Sequence, residues 1–449
     1  MASYIKWFKE LDMNDIEIVG GKNASLGEMY RHLTVKGVRI PNGFAITVKA
    51  YNDILEYNDA WEKLHEQLDD LDPYNMTQLQ ERSAVCRKII QECKIPEKIQ
   101  AEILEGYHAL REEYGADLSL AVRSSATAED SPEASFAGQN ETYLNISSDE
   151  ALLNAYKRCI ASNFTDRSLH YKFDHGFDYF KVHLSVVVMK MVRSDIGVSG
   201  VMFSIDTETG FEDVIFINAT YGLGENVVQG TVDPDSFYVH KPTFKKGYRA
   251  VLKRRLGDKA LKMVFADKEV AKAYTMNIET TSEERKRFSI SDEDIMILAE
   301  YAIEVEHHYS QEAGYYKPMD MEWAKDGLDG QIYMVQARPE TVESQKRGTV
   351  LEIYRIKERG KVLVTGRAVG TKIGAGKVRY ISDAKALKEF KAGEVLLAET
   401  TTPDWEPIMK IASAIITNRG GRTCHAAIVS RELGIPAVVG TKNATEILQ

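Results

Sequence analysis

Apolar side chains recur along this chain with two different periods, and the expected structure changes wherever the period does. Across residues 51–115 they return about every 3.6 positions among Leu, Glu, Lys and Arg, which predicts several amphipathic helices with solvated charged faces. Residues 118–123 then read as a strand with Arg123 at its end, and 142–146 start the next. Between them, 124–139 form a loop of small and hydroxyl side chains. The run 181–192 has strand composition and is expected to cross a core. Residues 199–206 and 214–220 read as adjacent strands around a turn at 207–211, and a glycine-rich connection follows at 221–230.

Two more strand-like runs, 320–324 and 331–339, are joined by turn chemistry at 325–330 and predict a hairpin. A five-residue loop at 326–330 would set Glu322 opposite Met334 and bring Gln336 and Arg338 to the same sheet face. An even-numbered loop would turn Glu322 to the other face. Residues 340–361 are rich in alternating charge and weakly periodic, so a linker is expected there, with a second unit from near residue 360. In that unit 376–381 and 394–399 read as strands, and 400–412 as a loop leading into a helix. Residues 414–417 form a short buried strand, Gly420-Gly421 a turn, and 423–433 a helix stopped by Gly434 and Pro436.

With 449 residues the chain is long enough for roughly three domains. A net charge of −10 argues against a nucleic acid or an anionic membrane as partner, so any anionic substrate must be held by a local cluster of Arg and Lys. Cys86, Cys93, Cys159 and Cys424 are scattered without a CxxC pair, which indicates neither a zinc site nor a disulfide framework. No apolar leader and no membrane-length apolar run occurs, and a cytoplasmic protein is expected.

The chemistry concentrates at His425. In the first turn of a helix, backbone N–H groups and the positive end of the helix dipole favour a neutral imidazole and would stabilise an anion attached to it. Arg419 and Arg422 add positive charge nearby. A neutral imidazole is a nucleophile, and a phosphoryl group on it would be held by these donors. Near the N-terminus, Gly20-Gly21-Lys22 lets the backbone pass close to a ligand and projects a point charge at a helix start, without the spacing of a Walker A loop. The hydroxyl-rich loop after Arg123 can close over phosphates.

Arg419-Gly-Gly-Arg-Thr-Cys-His425 followed by Gly434-Ile-Pro-Ala-Val-Val-Gly440 resembles the phosphohistidine swivelling domain of the dikinases that make or use phosphoenolpyruvate. Within them it is most similar to the phosphoenolpyruvate synthase (pyruvate, water dikinase) family, and Gly20-Gly-Lys-Asn-Ala-Ser-Leu-Gly-Glu28 carries the same resemblance. The resemblance implies an α/β (α+β) architecture. An ATP-grasp nucleotide-binding domain would span 1–345 in lobes 1–195 and 196–345, then a linker 346–360 and a small α/β phosphohistidine domain 361–449. It further implies ATP phosphate contacts from Lys22, Arg123, Gly138 and Thr142, and adenine contacts around Lys190, Met191 and Val192. Met189 stands where relatives often carry glutamine, which removes one amide hydrogen bond. Gly222, Gly224 and Glu225 would line the nucleotide cleft, with Glu322 and Gln336 as Mg²⁺ ligands and Arg338 stabilising the phosphoryl group in flight. Thr423, Arg419 and Arg422 would surround the phosphohistidine. The implied partners are ATP and, through a C-terminal barrel that the chain is expected to lack, pyruvate and phosphoenolpyruvate; a homodimer of the full-length protein is compatible with this. A pyruvate, phosphate dikinase, a rifampicin or glucan dikinase, and an idle nucleotide-binding fragment are the alternatives.

Overall fold

Alternation of side chains across one sheet separates a helical core from a polar face. The computed structural model describes residues 3–128, 141–266, 274–340, 354, 358, 360–382, 390–402, 405–422 and 424–448. The chain divides into two units, Met1–Val192 with Phe265–Thr275 and Tyr333–Arg338, and Arg193–Val264 with Met276–Ile332 and Pro339–Gln449.

The first unit is built on an antiparallel sheet in the order Ile5–Trp7, Gly43–Ile46, Leu184–Lys190, Leu120–Ala126, Thr142–Ile146. Leu120, Val122, Ala126, Leu184, Val186 and Val188 point to one side. There they share a core with Tyr51, Ile103, Tyr107 and Tyr156 of the helices Val48–Tyr57, Glu97–Tyr114 and Asp149–Ala161. The amphipathic helices expected across 51–115 form as Val48–Tyr57, Ala60–Leu68, Met76–Glu92 and Glu97–Tyr114. On the opposite side Ser125 and Ser185 meet the helix Ile16–Leu33. The Ser125 hydroxyl donates to the Val19 carbonyl at 2.9 Å, and the Asn23 amide donates to Ser185 Oγ at 3.0 Å. Because these serines find buried partners, the strand runs on to Ala126. Arg123 therefore lies inside it and not at its end, a correction to the reading of Ser124 and Ser125 as loop.

In the second unit, Val198–Phe203 pairs on one edge with Met319–Lys325 and on the other with Val214–Tyr221, which continues through Asp235–His240 to Val251–Arg255. The turn after Met319–Lys325 differs from expectation. The Asp326 N–H donates to the Gln331 carbonyl at 2.9 Å and the Gly330 N–H to the Asp326 carbonyl at 2.9 Å, leaving 327–330 as the loop. Asp326 is held against the strand end because its carboxylate accepts from the Leu328 N–H at 2.8 Å and the Arg193 N–H at 3.2 Å. The loop is thus even-numbered, and the shared sheet face of Glu322 and Gln336 that rested on a five-residue loop does not follow.

The same unit contains a separate sheet in the order Arg367–Val369, Ala437–Val439, Ala414–Thr417, Val395–Ala398, Val378–Tyr380, parallel except for the antiparallel edge pair Arg367–Val369 with Ala437–Val439. The helix His425–Leu433 is the crossover between two parallel strands, packing Ala427 and Val429 with Leu396, Ile415 and Val439. The helix expected within 400–412 is shortened to Glu406–Met409. Among the described residues, no helix is long and apolar enough to cross a membrane. All four cysteines are free and buried.

Candidate functional site

His425 is the first residue of the helix His425–Leu433, beyond the carboxyl end of the strand Ala414–Thr417, where ligands of parallel α/β sheets gather. The helix ends at Gly434, whose φ of 66° is the left-handed cap that the sequence signalled. The N-cap is Cys424, which gives no side-chain cap. The Ala427 N–H donates to the Cys424 carbonyl at 2.9 Å, and the amino end of the helix lies at the ring. The imidazole is half-buried, and burial pushes its pKa down to about 4. Its Nδ1 lies 3.0 Å from the hydroxyl of the buried Thr401. Sequence reasoning missed Thr401; the run Thr400-Thr-Thr402 before a proline was the only signal for it.

The loop before the helix depends on glycine. Gly420 has a φ of 104°, and a Cβ there would lie 2.7 Å from Cys424 Sγ. Gly230, at φ 71°, packs so closely that its Cβ would meet the Cys424 Cβ at 2.0 Å. The glycine-rich connection of the strand sheet therefore abuts the start of the histidine helix. Arg419 reaches Glu399 at 3.7 Å and is half exposed, while Arg422 donates to the Tyr238 hydroxyl at 3.3 Å. The two arginines are therefore anchored by Glu399 and Tyr238. Thr423 lies outside the described residues.

Gly222 carries a φ of 82°, its Cβ position is only 2.4 Å from the Met263 carbonyl, and its own carbonyl accepts from Ser199 Oγ at 2.6 Å. Gly224 precedes a short helix, Glu225–Val228. Glu225 accepts from Gln229 Nε2 at 2.7 Å, and burial raises its pKa.

In the first unit, Gly20 breaks the helix Ile16–Leu33 with φ 74° and ψ 167°, so that a new helical segment starts beside Lys22. A Cβ at Gly20 would stand 2.3 Å from the Ser125 carbonyl. Lys22 Nζ donates to the Ser124 carbonyl at 3.1 Å, next to Arg123. Arg123 donates through Nη2 to Gln336 Oε1 at 2.6 Å and through Nη1 to the Val335 carbonyl at 3.3 Å. The exposed Thr142 is its register partner on the neighbouring strand. Arg338 is half-buried at the end of the strand Ile332–Pro339, and Gly138 lies outside the described residues.

The adenine expectation concerns backbone groups around Lys190–Val192, and two of the donors there have partners within the protein. The N–H of Lys190 donates to the Asn42 carbonyl at 3.1 Å and that of Met191 to the Ser119 carbonyl at 2.9 Å. Both donors are used within the protein, because the strand ends where neighbouring loops complete its ladder. The Lys190 ammonium instead lies over the rings of Tyr114 and Tyr333, at 5.2 and 4.8 Å. Met189 is buried against Gly43.

Glu322 is half-buried in Met319–Lys325, with Val201 as its register partner. No group of three or more His, Cys, Asp or Glu arranged for a metal occurs among the described residues. Glu322 offers a carboxylate and Gln336 an amide carbonyl, the hard oxygen donors that Mg²⁺ takes beside phosphate oxygens. The Gln336 oxygen already accepts from Arg123, and a carbonyl oxygen keeps a second lone pair for a cation. By donor type each side chain suits the ion, while the four-residue loop gives the two no shared sheet face.

The family described as pyruvate phosphate dikinase, AMP/ATP-binding domain, matches residues 16–358, and PEP-utilising enzyme, mobile domain, matches 390–449. A phosphoenolpyruvate synthase of Helicobacter pylori is 53% identical over 99% of this chain and 56% of its own length. Those of Synechocystis and Escherichia coli are 52% and 48% identical, over 100% and 98% of this chain and 55% of their own lengths. The chain spans about half the length of the curated relatives it matches.

Proposed function

Because the chain belongs to the pyruvate phosphate dikinase AMP/ATP-binding family, we propose that it carries the ATP-dependent half of a phosphoenolpyruvate synthase reaction. That whole reaction, pyruvate, water dikinase, converts ATP, pyruvate and water to AMP, phosphoenolpyruvate and phosphate. The observation that carries the reading is His425 itself: a half-buried ring held neutral at a helix start, with Nδ1 engaged by Thr401.

With Nδ1–H donating to Thr401, Nε2 keeps its lone pair and is the nucleophile. The Nε2–P bond forms at the β-phosphorus as the bond from that phosphorus to the AMP oxygen breaks, and AMP leaves. Water then takes the γ-phosphoryl group as phosphate, and the remaining phosphoryl group stays on His425 beside the helix N–H groups. Lys22, Arg123, Thr142 and the loop containing Gly138 hold the ATP phosphates, and Arg338 offsets charge on the phosphoryl group in transfer. Val192 meets the adenine edge near Lys190 and Met191, while Gly222, Gly224 and Glu225 line the cleft. Glu322 and Gln336 would hold Mg²⁺, which supplies charge neutralisation on the phosphate oxygens. Arg419, Arg422 and Thr423 surround the phosphohistidine. In this reading the domains are 1–345 and 361–449 around a linker, the location is the cytoplasm, and pyruvate is served by a barrel domain.

The test is incubation with ATP labelled at the β position. Acid-labile, alkali-stable label on the intact chain and none on His425→Ala is the expected result; equal label on both would remove His425 from the reaction.

A further inference from the structure

We propose that Glu208 is a positioning residue for the loop that presents His425, acting through Arg431. The proposal rests on His425 being the phosphoryl acceptor.

Arg431 lies nearly two turns along the helix that begins at His425, and is 9% exposed. Its guanidinium is shared between two acceptors. Nη2 donates to the backbone carbonyl of Arg422 at 2.5 Å, inside the loop that leads to His425. Nε donates to Glu208 Oε1 at 3.0 Å, and Nη2 makes a second bond to the same oxygen. The other oxygen of Glu208 accepts from the Gly370 N–H at 3.2 Å. Glu208 comes from the turn after the strand Val198–Phe203, whereas Arg422, Arg431 and Gly370 belong to the parallel-sheet domain. One carboxylate therefore ties that domain to the strand sheet at two points, and through Arg431 it reaches the carbonyl of Arg422.

The physical reason for dependence is burial. The ion pair keeps side-chain exposures of only 6% and 11%, so Arg431 without Glu208 would hold an uncompensated charge in a poorly hydrated place. It would then turn towards water and release the Arg422 carbonyl. The same seam carries the Arg422 bond to Tyr238, an ion pair of Arg367 with Asp233, and the close packing of Gly230 on Cys424. Glu208 is the member of this seam whose partner also grips the His425 loop.

Glu208→Gln keeps the size of the side chain and removes its charge. It is expected to slow first-order labelling of His425 at saturating Mg-ATP by about tenfold or more, as losing one partner of a buried pair does. The half-saturating ATP concentration should stay within about twofold, because nucleotide binding uses other residues. Glu208→Arg and Arg431→Glu should each be slow, and the reversed pair should recover most of the rate. Small-angle scattering of the nucleotide-free protein gives a readout independent of phosphoryl transfer: the radius of gyration should rise in Glu208→Arg and return in the reversed pair. Unaltered labelling in Glu208→Gln, no recovery in the reversed pair, or an unchanged radius in Glu208→Arg would each overturn the proposal. A parent chain that takes no label counts against the phosphotransfer reading instead, and scattering still decides whether Glu208 holds the domain.

Discussion

The hydroxyl of Thr401 meets Nδ1 of His425 at 3.0 Å in a place where the threonine is 1% exposed. A ring fixed through one nitrogen presents the other in a single orientation. Thr401→Val keeps the shape and removes the partner, so both the tautomer and the ring angle are released. Labelling of His425 should fall about ten- to a hundredfold while Thr401→Ser stays near the parent, measured by quenched time courses.

Burial lowers the His425 pKa to about 4. The ring should therefore be neutral throughout the range in which an ordinary imidazole titrates, and labelling should show no loss centred near pH 6.5. Stability has a definite sign. Between pH 6.5 and about 4 the unfolded chain binds a proton that the folded chain refuses, so stability falls as pH drops through that window. Nitrogen NMR of the labelled imidazole follows the ring directly; a titration near 6.5 in the folded protein contradicts the expectation.

Gly20→Ala places a Cβ 2.3 Å from the Ser125 carbonyl at a φ of 74°. The backbone carbonyl cannot rotate away without breaking the strand, so a loss of about 2–3 kcal/mol is expected in chemical denaturation. ATP affinity should weaken too, since Lys22 starts the segment that Gly20 sets. Calorimetric titration checks the second effect; tight binding with lowered stability would separate Gly20 from the nucleotide site.

Arg123 binds the side-chain oxygen of Gln336 at 2.6 Å. Arg123→Met should leave Gln336 unoriented and remove the proposed phosphate contact together. Labelling should fall by about a hundredfold or more, and the Mg²⁺ concentration needed for half-maximal rate should rise. Gln336→Glu instead gives Arg123 a charged partner, and Mg²⁺ dependence rather than ATP affinity should shift. Equal Mg²⁺ dependence in all three proteins would detach Gln336 from the metal.

Lys172 is fully buried, donates to Asn163 Oδ1 at 2.7 Å and to the Asn163 carbonyl at 2.9 Å, and is lowered by burial to about 7. Above pH 7 the folded protein holds it neutral while the unfolded chain still protonates it, so its cost to stability shrinks as pH rises towards 9. The melting temperature of Lys172→Met should respond less to pH over that interval than the parent's, compared by calorimetry.

The legible parts of this protein are those in which a local rule and the tertiary fold agree. Helices across 51–115, the strands at 142–146 and 414–417, and the helix carrying His425 followed from periodicity and from Gly434. The less legible parts involve atoms that find partners far along the chain. Ser124 and Ser125 read as loop by composition, yet Ser125 bonds to Val19 and Asn23 and extends the strand. The turn at 326–331 closes as a four-residue loop and not the five-residue alternative because the Asp326 carboxylate accepts from the Arg193 N–H, a partner far upstream.

What the sequence determined by itself was the kinds of group available: a histidine at a helix start, a lysine after two glycines, an arginine on a strand, oxygen donors near a turn. These follow from spacing, because spacing sets which residues share a turn or a face. Only the tertiary structure decided which of those groups are spent. The backbone donors of Lys190 and Met191 are consumed by Asn42 and Ser119, Arg419 and Arg422 are anchored by Glu399 and Tyr238, and Thr401 and Glu208 enter through contacts with no local signature. A hydrogen bond between residues distant in sequence depends on where the whole fold brings its two ends, and no window along the chain contains both.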